Sequence, residues 1–161
     1  MTITIYTGEK HSGKTTFLQT FYENNLSIRG ILSPIINGIR CFQPLHSNES
    51  IPMESSSNGG EMVLQIGKYT FSQASFEWAI EHLYKVANNP SKNTILIDEL
   101  GPLELKGLGF AKTIIEFLDK EKDMIWVVRR GLVQDLLDYF QILNSDSVYI
   151  EIIELKPYTN S

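Results

Sequence analysis

The stretch YTGEKHSGKTTF, residues 6–17, contains a phosphate-binding pattern. Gly8, Gly13, Lys14 and Thr15 fit G-x-x-x-x-G-K-[ST], in which backbone amides and a helix N-terminus surround phosphate oxygens. The β-branched run TITIY before the loop predicts a strand, and KTTFLQTFYENN after it predicts a helix. Because a phosphate loop requires the order strand, loop, helix, the flanks make a chance match the weaker interpretation.

Each part of the loop has an expected role. The Lys14 ammonium is expected to reach the β- and γ-phosphates, and the Thr15 hydroxyl to ligate Mg²⁺. The glycines at 8 and 13 let the backbone approach the phosphates without a Cβ in the way. The predicted nucleotide-binding residues are Gly8, Glu9, Lys10, His11, Ser12, Gly13, Lys14, Thr15 and Thr16.

A second pattern, ILIDE, places two acids after a buried strand. Ligands of open α/β sheets bind at the carboxyl ends of the strands, where Asp98 and Glu99 are predicted to lie. Asp98 is the candidate second ligand of Mg²⁺, and Glu99 the candidate base that orients an attacking water. The alternative is that both acids are merely solvated at a strand end, and the phosphate loop makes that alternative less attractive.

The bulk composition is that of an ordinary globular chain. Its 161 residues are 42% hydrophobic and 20% charged, which predicts a single domain over 1–161. The net charge of −5 argues against a nucleic-acid surface, and the single cysteine excludes an internal disulfide. No leader pattern is evident, and no stretch approaches the ~20 apolar residues of a membrane helix. We expect a cytoplasmic monomer with no obligate protein partner.

Strand and helix patterns alternate along most of the chain. This alternation predicts an α/β fold with a mostly parallel sheet that is covered on both faces. Asn37-Gly38 between two apolar runs predicts a hairpin, since both turn positions need a positive φ. We therefore expect an insertion of short antiparallel strands at about residues 28–71, with a flexible polar loop at 46–61 and a frayed tail.

Six segments then resemble one family in their order along the chain. They are GEKHSGKTTF, RGILSP, GIRCF, GKYTF, ILIDELGPLEL and WVVRRG, and they resemble the THEP-type nucleoside-triphosphatases. DELGPLEL (98–105) is close to the family's D-E-I-G-x-M-E-L and is more specific than the phosphate loop. The resemblance implies a three-layer, RecA-like P-loop NTPase fold. It also implies slow, Mg²⁺-dependent hydrolysis of ATP, GTP and other nucleoside triphosphates with broad base preference.

Further charged residues are candidates for the same site. Glu104 could orient Lys14 or a metal-bound water, or it could cap the next helix. Arg129 and Arg130 follow the buried strand MIWVV, so one of them could supply positive charge to the transition state, with a surface salt bridge as the alternative. Arg40 on the hairpin is a weaker candidate of this kind.

Two other functions stay open at the level of the sequence. One is a small-molecule or nucleotide kinase, although four arginines are few for a lid over the phosphates. The other is a nucleotide-binding adaptor similar to molybdopterin-guanine-dinucleotide biosynthesis B-type proteins. Since no Asn/Thr-Lys-x-Asp pattern is present, the sequence gives no basis for strict GTP selection.

Overall fold

The computed structural model describes residues 1–10, 12–55 and 62–157. The strands in these ranges are β1 (Thr2–Gly8), β2 (Ile28–Leu32), β3 (Ile35–Ile36), β4 (Ile39–Pro44), β5 (Ile51–Pro52), β6 (Val63–Ile66), β7 (Tyr69–Ser72), β8 (Thr94–Leu100), β9 (Met124–Arg129) and β10 (Tyr149–Glu154). The helices are α1 (Lys14–Phe21), α2 (Gln73–Ala87), α3 (Pro102–Leu105), α4 (Ala111–Asp119) and α5 (Val133–Tyr139), followed by a short 3₁₀ helix at Ile142–Asn144. No helix in the described ranges is long and apolar enough to cross a membrane.

One eight-stranded sheet organises these elements. Its order is β10-β1-β9-β8-β2-β4-β3, with β5 added on β4, while β6 and β7 form a separate hairpin. Neighbours from β10 to β2 pair in parallel, and β4 pairs antiparallel with β2, β3 and β5. The predicted mostly parallel sheet with an antiparallel hairpin is therefore confirmed.

The antiparallel insertion begins later than predicted. Ile28–Leu32 pairs in parallel with β8 and belongs to the central sheet, so the start at residue 28 is wrong. The short strands start at Ile35, and the turn between β3 and β4 has φ of 51° at Asn37 and 76° at Gly38. These two positive angles confirm the predicted Asn-Gly hairpin.

The predicted polar loop at 46–61 is also partly structured. Ile51–Pro52 pairs with β4, and Glu54 bridges to Phe71. The reason is that the free edge of β4 accepts a further strand, which local composition does not reveal. Residues 56–61 and 158–161 lie outside the described residues, and so do the predictions for them.

Helices pack on apolar side chains on both faces of the sheet, so the fold has three layers. The larger core cluster lies under α2, α4 and α5, and it includes Trp126 and Phe117. The smaller cluster lies under α1, where only Leu18 of that helix is fully buried, and it continues through Tyr6 and Tyr22. The helix α1 is thus fixed on the sheet by few contacts, with its first turn at the end of β1.

Gly30 tests how tightly β2 packs against β8. A Cβ at this position would lie 1.9 Å from the backbone oxygen of Leu96. Because backbone cannot move away as a flexible side chain can, Gly30→Ala is expected to lower the free energy of unfolding by about 3 kcal/mol or more. Urea unfolding of the purified protein measures this loss.

The matched control is Gly67→Ala. Gly30 has φ of 154° and Gly67 has φ of 55°, but a Cβ on Gly67 would meet nothing within 4 Å. That substitution should cost only the left-handed conformation, about 1 kcal/mol. Equal losses for the two variants would contradict the close approach of β2 and β8.

Candidate functional site

The phosphate loop is closed around the Lys14 side chain. Nζ of Lys14 donates to the backbone oxygen of Glu9 at 2.7 Å, and to Gly8 O and Ser12 Oγ at 3.3 Å each. Burial lowers the pKa of Lys14, while the charges of Glu99 and Asp98 act in the opposite direction. The ammonium therefore lies in a partly desolvated space that it shares with both predicted acids.

The two motif glycines serve different geometric needs. Gly13 precedes α1 with φ of 80°, and a Cβ there would meet nothing within 4 Å, so its backbone conformation is what favours glycine. A Cβ on Gly8 would lie 2.7 Å from Leu155 O and 3.0 Å from Ser12 Oγ. Gly8 thus allows close approach of the chain after β10. His11, predicted between them, lies outside the described residues.

Asp98 connects three segments through one oxygen atom. Its Oδ2 accepts a hydrogen bond of 2.6 Å from Thr15 Oγ1 and one of 2.9 Å from the Ser33 backbone amide. Burial and the neighbouring Glu99 raise the pKa of Asp98 to about 6, against the lowering effect of those hydrogen bonds. The predicted metal ligands Thr15 and Asp98 are therefore in direct contact.

The other oxygen of Asp98, Oδ1, is available to bind a metal ion. Oδ1 is buried and has no hydrogen-bond partner among the described residues. An unsatisfied buried carboxylate oxygen is costly unless a ligand compensates it. A hydroxyl and a carboxylate oxygen in contact suit the oxygen preference of Mg²⁺, and the residues present fit this ion.

A bulge in β8 separates the directions of the two acids. Ile97 pairs with Trp126 and Leu100 with Val128, so three steps along β8 match two along β9. The extra residue reorients the chain: Asp98 is 1% exposed, Glu99 is exposed, and Leu100 is buried again. Glu99 has φ of 61°, the left-handed region, which costs a non-glycine residue on the order of 1 kcal/mol.

Glu99 does not stand alone at the edge of the sheet. Its Oε1 forms an ion pair with Nη1 of Arg40 on β4, and both side chains are partly shielded from solvent. Arg40 also acts to lower the pKa of Asp98. The hairpin arginine, the weaker candidate in the sequence, thus contacts the residue predicted to be the base.

The two arginines after β9 differ in their contacts. Arg130 pairs with Glu9 at 2.6 Å and with Glu154, and its amide donates to Gly8 O, so it ties the phosphate loop to β10. Arg129 pairs with Gly8 in the β1–β9 register, and its charge lowers the pKa of Lys14. Arg130 is therefore positioned to hold the loop, whereas Arg129 is exposed beside it.

Glu104 lies in the one-turn helix α3, which follows the bulge. Its Oε2 accepts from the Gly101 amide at 2.8 Å and its Oε1 from the Phe110 amide at 3.1 Å. Oε2 thus caps helix α3, as the capping alternative expected, and Oε1 holds the chain at the start of α4. A Cβ on Gly109 would lie 2.4 Å from Oε1, which shows how closely the chain surrounds this carboxylate.

A sequence model of the NTPase family matches residues 3–156 of the chain. The chain belongs to this NTPase family. It is an enzyme of the nucleoside-triphosphate phosphohydrolase class.

Known proteins agree with this assignment. Over 158 residues the NTPase is 29% identical to nucleoside-triphosphatase THEP1 of Saccharolobus solfataricus, covering 91% of this chain and 88% of that protein. The crystal structure of THEP1 from Aquifex aeolicus matches with a TM-score of 0.69 at 22% identity, over 98% of this chain and 91% of that one. The solution structure of a human cancer-related nucleoside triphosphatase matches with a TM-score of 0.67 at 19% sequence identity. This match covers 95% of this chain and 89% of that one. These two structures share the three-layer P-loop fold of this NTPase.

Ser33 is the contact that sequence reasoning missed. Besides its amide, its hydroxyl approaches the Asp98 backbone oxygen at 3.5 Å, and the residue is buried. The segment RGILSP contains it, so the motif carried a signal, but a serine before proline does not by itself indicate a carboxylate partner. The end of β2 thus helps to orient the Asp98 side chain.

The buried carboxyl of Glu104 makes the stability of this NTPase pH-dependent. Burial raises its pKa to about 7 from an ordinary 4.5, and the Gly101 and Phe110 amides oppose this. Since the folded state binds the proton more tightly, the stabilisation is full below pH 4.5 and is lost as the pH rises through 7. Across this pH range the free energy of unfolding falls by at most about 3 kcal/mol.

Replacing Glu104 by Gln removes this titration. We expect urea unfolding between pH 5 and 8 to show that the wild type exceeds Glu104→Gln in stability by more at pH 5 than at pH 8. The control is Glu23→Gln, at an exposed glutamate after α1, which should follow the wild type at every pH. A stability difference between the wild type and Glu104→Gln that stays constant from pH 5 to 8 would contradict the raised pKa.

Proposed function

We propose that this NTPase hydrolyses the γ-phosphate of Mg²⁺-bound nucleoside triphosphates to give a diphosphate and inorganic phosphate. One observation carries the proposal: Thr15 and Asp98 meet through a 2.6 Å hydrogen bond directly beside the Lys14 loop. This contact joins the predicted phosphate site to the predicted metal ligands. Glu99, the next residue, is exposed at the same edge of the sheet.

Each side chain then has a defined task. Lys14 and the loop amides bind the β- and γ-phosphates, and Thr15 and Asp98 hold the metal ion. Mg²⁺, when bound, would neutralise part of the phosphate charge. Glu99 orients a water whose oxygen bonds to the γ-phosphorus as the bond to the bridging oxygen breaks, and the water's proton leaves through the carboxylate or the phosphate. The products are the diphosphate, phosphate and one proton.

Broad base preference and slow turnover are part of the proposal. The contacts that support it involve phosphates and metal, and the chain lacks the guanine pattern Asn/Thr-Lys-x-Asp. Binding that depends on phosphates discriminates little between bases. Slow turnover is proposed from the resemblance to the THEP-type family, whose members turn over slowly. A cytoplasmic location and a monomeric state stay predictions.

Glu99→Gln tests the proposed chemistry. The amide keeps the shape of the side chain but accepts no proton, so phosphate release from ATP and GTP should fall by about 10²-fold or more. Nucleotide binding, measured by calorimetry, should persist. In Lys14→Ala, by contrast, binding itself should weaken strongly.

The matched control is Glu121→Gln. Glu121 is another exposed glutamate in the left-handed region, with φ of 51°, at the end of α4. Its replacement reproduces the local backbone effect away from the site and should leave phosphate release unchanged. Normal release by Glu99→Gln would remove Glu99 as the base. ADP formation that required an added acceptor would favour the kinase.

Asp98→Asn tests the metal assignment. The substitution keeps the side-chain volume but removes the charge that faces the proposed Mg²⁺, so the Mg²⁺ concentration for half-maximal hydrolysis should rise about tenfold or more. Asp123→Asn is the control, because Asp123 accepts the Thr2 amide before β9, at the other end of the strands. An unchanged Mg²⁺ requirement in Asp98→Asn would overturn Asp98 as a ligand.

A further inference from the structure

The Arg40–Glu99 ion pair is held by a rigid part of the fold on one side. Arg40 lies on β4, where its backbone oxygen accepts the Met53 amide at 2.9 Å and the next residue, Cys41, donates to Pro34 O at 2.9 Å. The tight Asn37-Gly38 turn directly precedes this strand. The backbone of Arg40 is therefore held in place by hydrogen bonds, and the Arg40 side chain can change its partner.

Four charged groups share the space at this end of the sheet. Lys14 interacts with both Glu99 and Asp98, and Asp98 with both Glu99 and Arg40. The γ-phosphate expected between Lys14 and the metal ligands would enter this group as an additional anion. The planar guanidinium fork matches phosphate as well as carboxylate, so the γ-phosphate can compete with the partly exposed Glu99 for it.

We propose that Arg40 exchanges partners: its guanidinium, paired with Glu99 in this structure, binds the γ-phosphate of a nucleoside triphosphate and frees Glu99 for water. This inference rests on the proposed function. A diphosphate offers no γ-phosphate and leaves the ion pair in place. The exchange therefore makes the enzyme distinguish triphosphate from diphosphate and couples that distinction to the release of the base.

The other arginines are less suited to this exchange. Arg130 is engaged by Glu9 of the loop and by Glu154 of β10, so its guanidinium is already paired. Arg129 lies beside Gly8, and among the described residues it forms no ion pair with Glu99, whereas Arg40 does. Arg40 alone of these three contacts the predicted base.

Nucleotide affinities measured by calorimetry test the exchange. The ligands are ADP and a non-hydrolysable ATP analogue, each with Mg²⁺. In Arg40→Ala, affinity for the analogue should fall at least about tenfold, the scale of a lost charge-assisted hydrogen bond, while affinity for ADP stays within about twofold. The rate of phosphate release should fall by about 10³-fold, as for other arginines that contact a transferring phosphoryl group.

A double-variant cycle tests the competition with Glu99. Glu99→Gln weakens the ion pair, so it should increase affinity for the analogue but not for ADP. The increase should disappear in the Arg40→Ala background, because no guanidinium is left to release. Additive effects of the two substitutions on analogue affinity would overturn the exchange.

Two further variants separate binding of the phosphate from a structural effect. Arg40→Lys keeps the charge without the fork and should recover part of the analogue affinity. Arg29→Ala removes an arginine of β2 that pairs with Ile95, away from the edge, and should change neither affinity. Equal loss of ADP and analogue binding in both Arg40 variants would overturn the inference. Absence of phosphate release by the wild type would instead count against the proposed function, and analogue binding would still test Arg40.

Discussion

The Oδ2 atom of Asp98 is the point on which the geometry of the site depends. Through this atom the start of α1, the end of β2 and the end of β8 are held together by the Thr15 hydroxyl and the Ser33 amide. The contact is buried, so losing either donor would leave a desolvated carboxylate with less compensation. It fixes the first turn of α1 relative to the sheet, on a side of the sheet where that helix buries only Leu18 completely.

The bulge in β8 gives two adjacent acids different surroundings. In the proposed site Asp98 points into the buried space by the phosphate loop, and Glu99 faces solvent-accessible space where a water can reach it. In a regular strand Leu100 would then fall on the face of Asp98, whereas here it joins the larger core under the helices on the opposite face. The extra residue allows this arrangement, and the positive φ of Glu99 is its local cost. The Glu104 cap on the following turn holds the chain immediately after the strained residue.

Most of the fold could be predicted because its signals are local. The strand, loop and helix around Gly13, and the Asn37-Gly38 turn, depend on residues near one another in sequence. Strand pairings between segments distant in sequence could not be predicted from local patterns. The assignment of Ile28–Leu32 to the parallel sheet depends on β8, and the pairing of Ile51–Pro52 depends on the free edge of β4. In the same way Lys14, Thr15, Asp98 and Glu99 could be named from motifs, but the contacts of Arg40, Arg130 and Ser33 required the three-dimensional arrangement.

The balance of charge explains why the arginine contacts matter beyond packing. Lys14 and Arg40 are matched by Asp98 and Glu99, so the group at the sheet edge is close to neutral as it stands. In the proposed function a triphosphate brings surplus negative charge into this group, and Arg40 compensates that charge when it leaves Glu99. Arg130 stabilises the outer wall of the loop through exposed pairs, which are individually weak. In the proposed exchange Arg40, which is more shielded and paired with Glu99, links binding of the γ-phosphate to the release of Glu99.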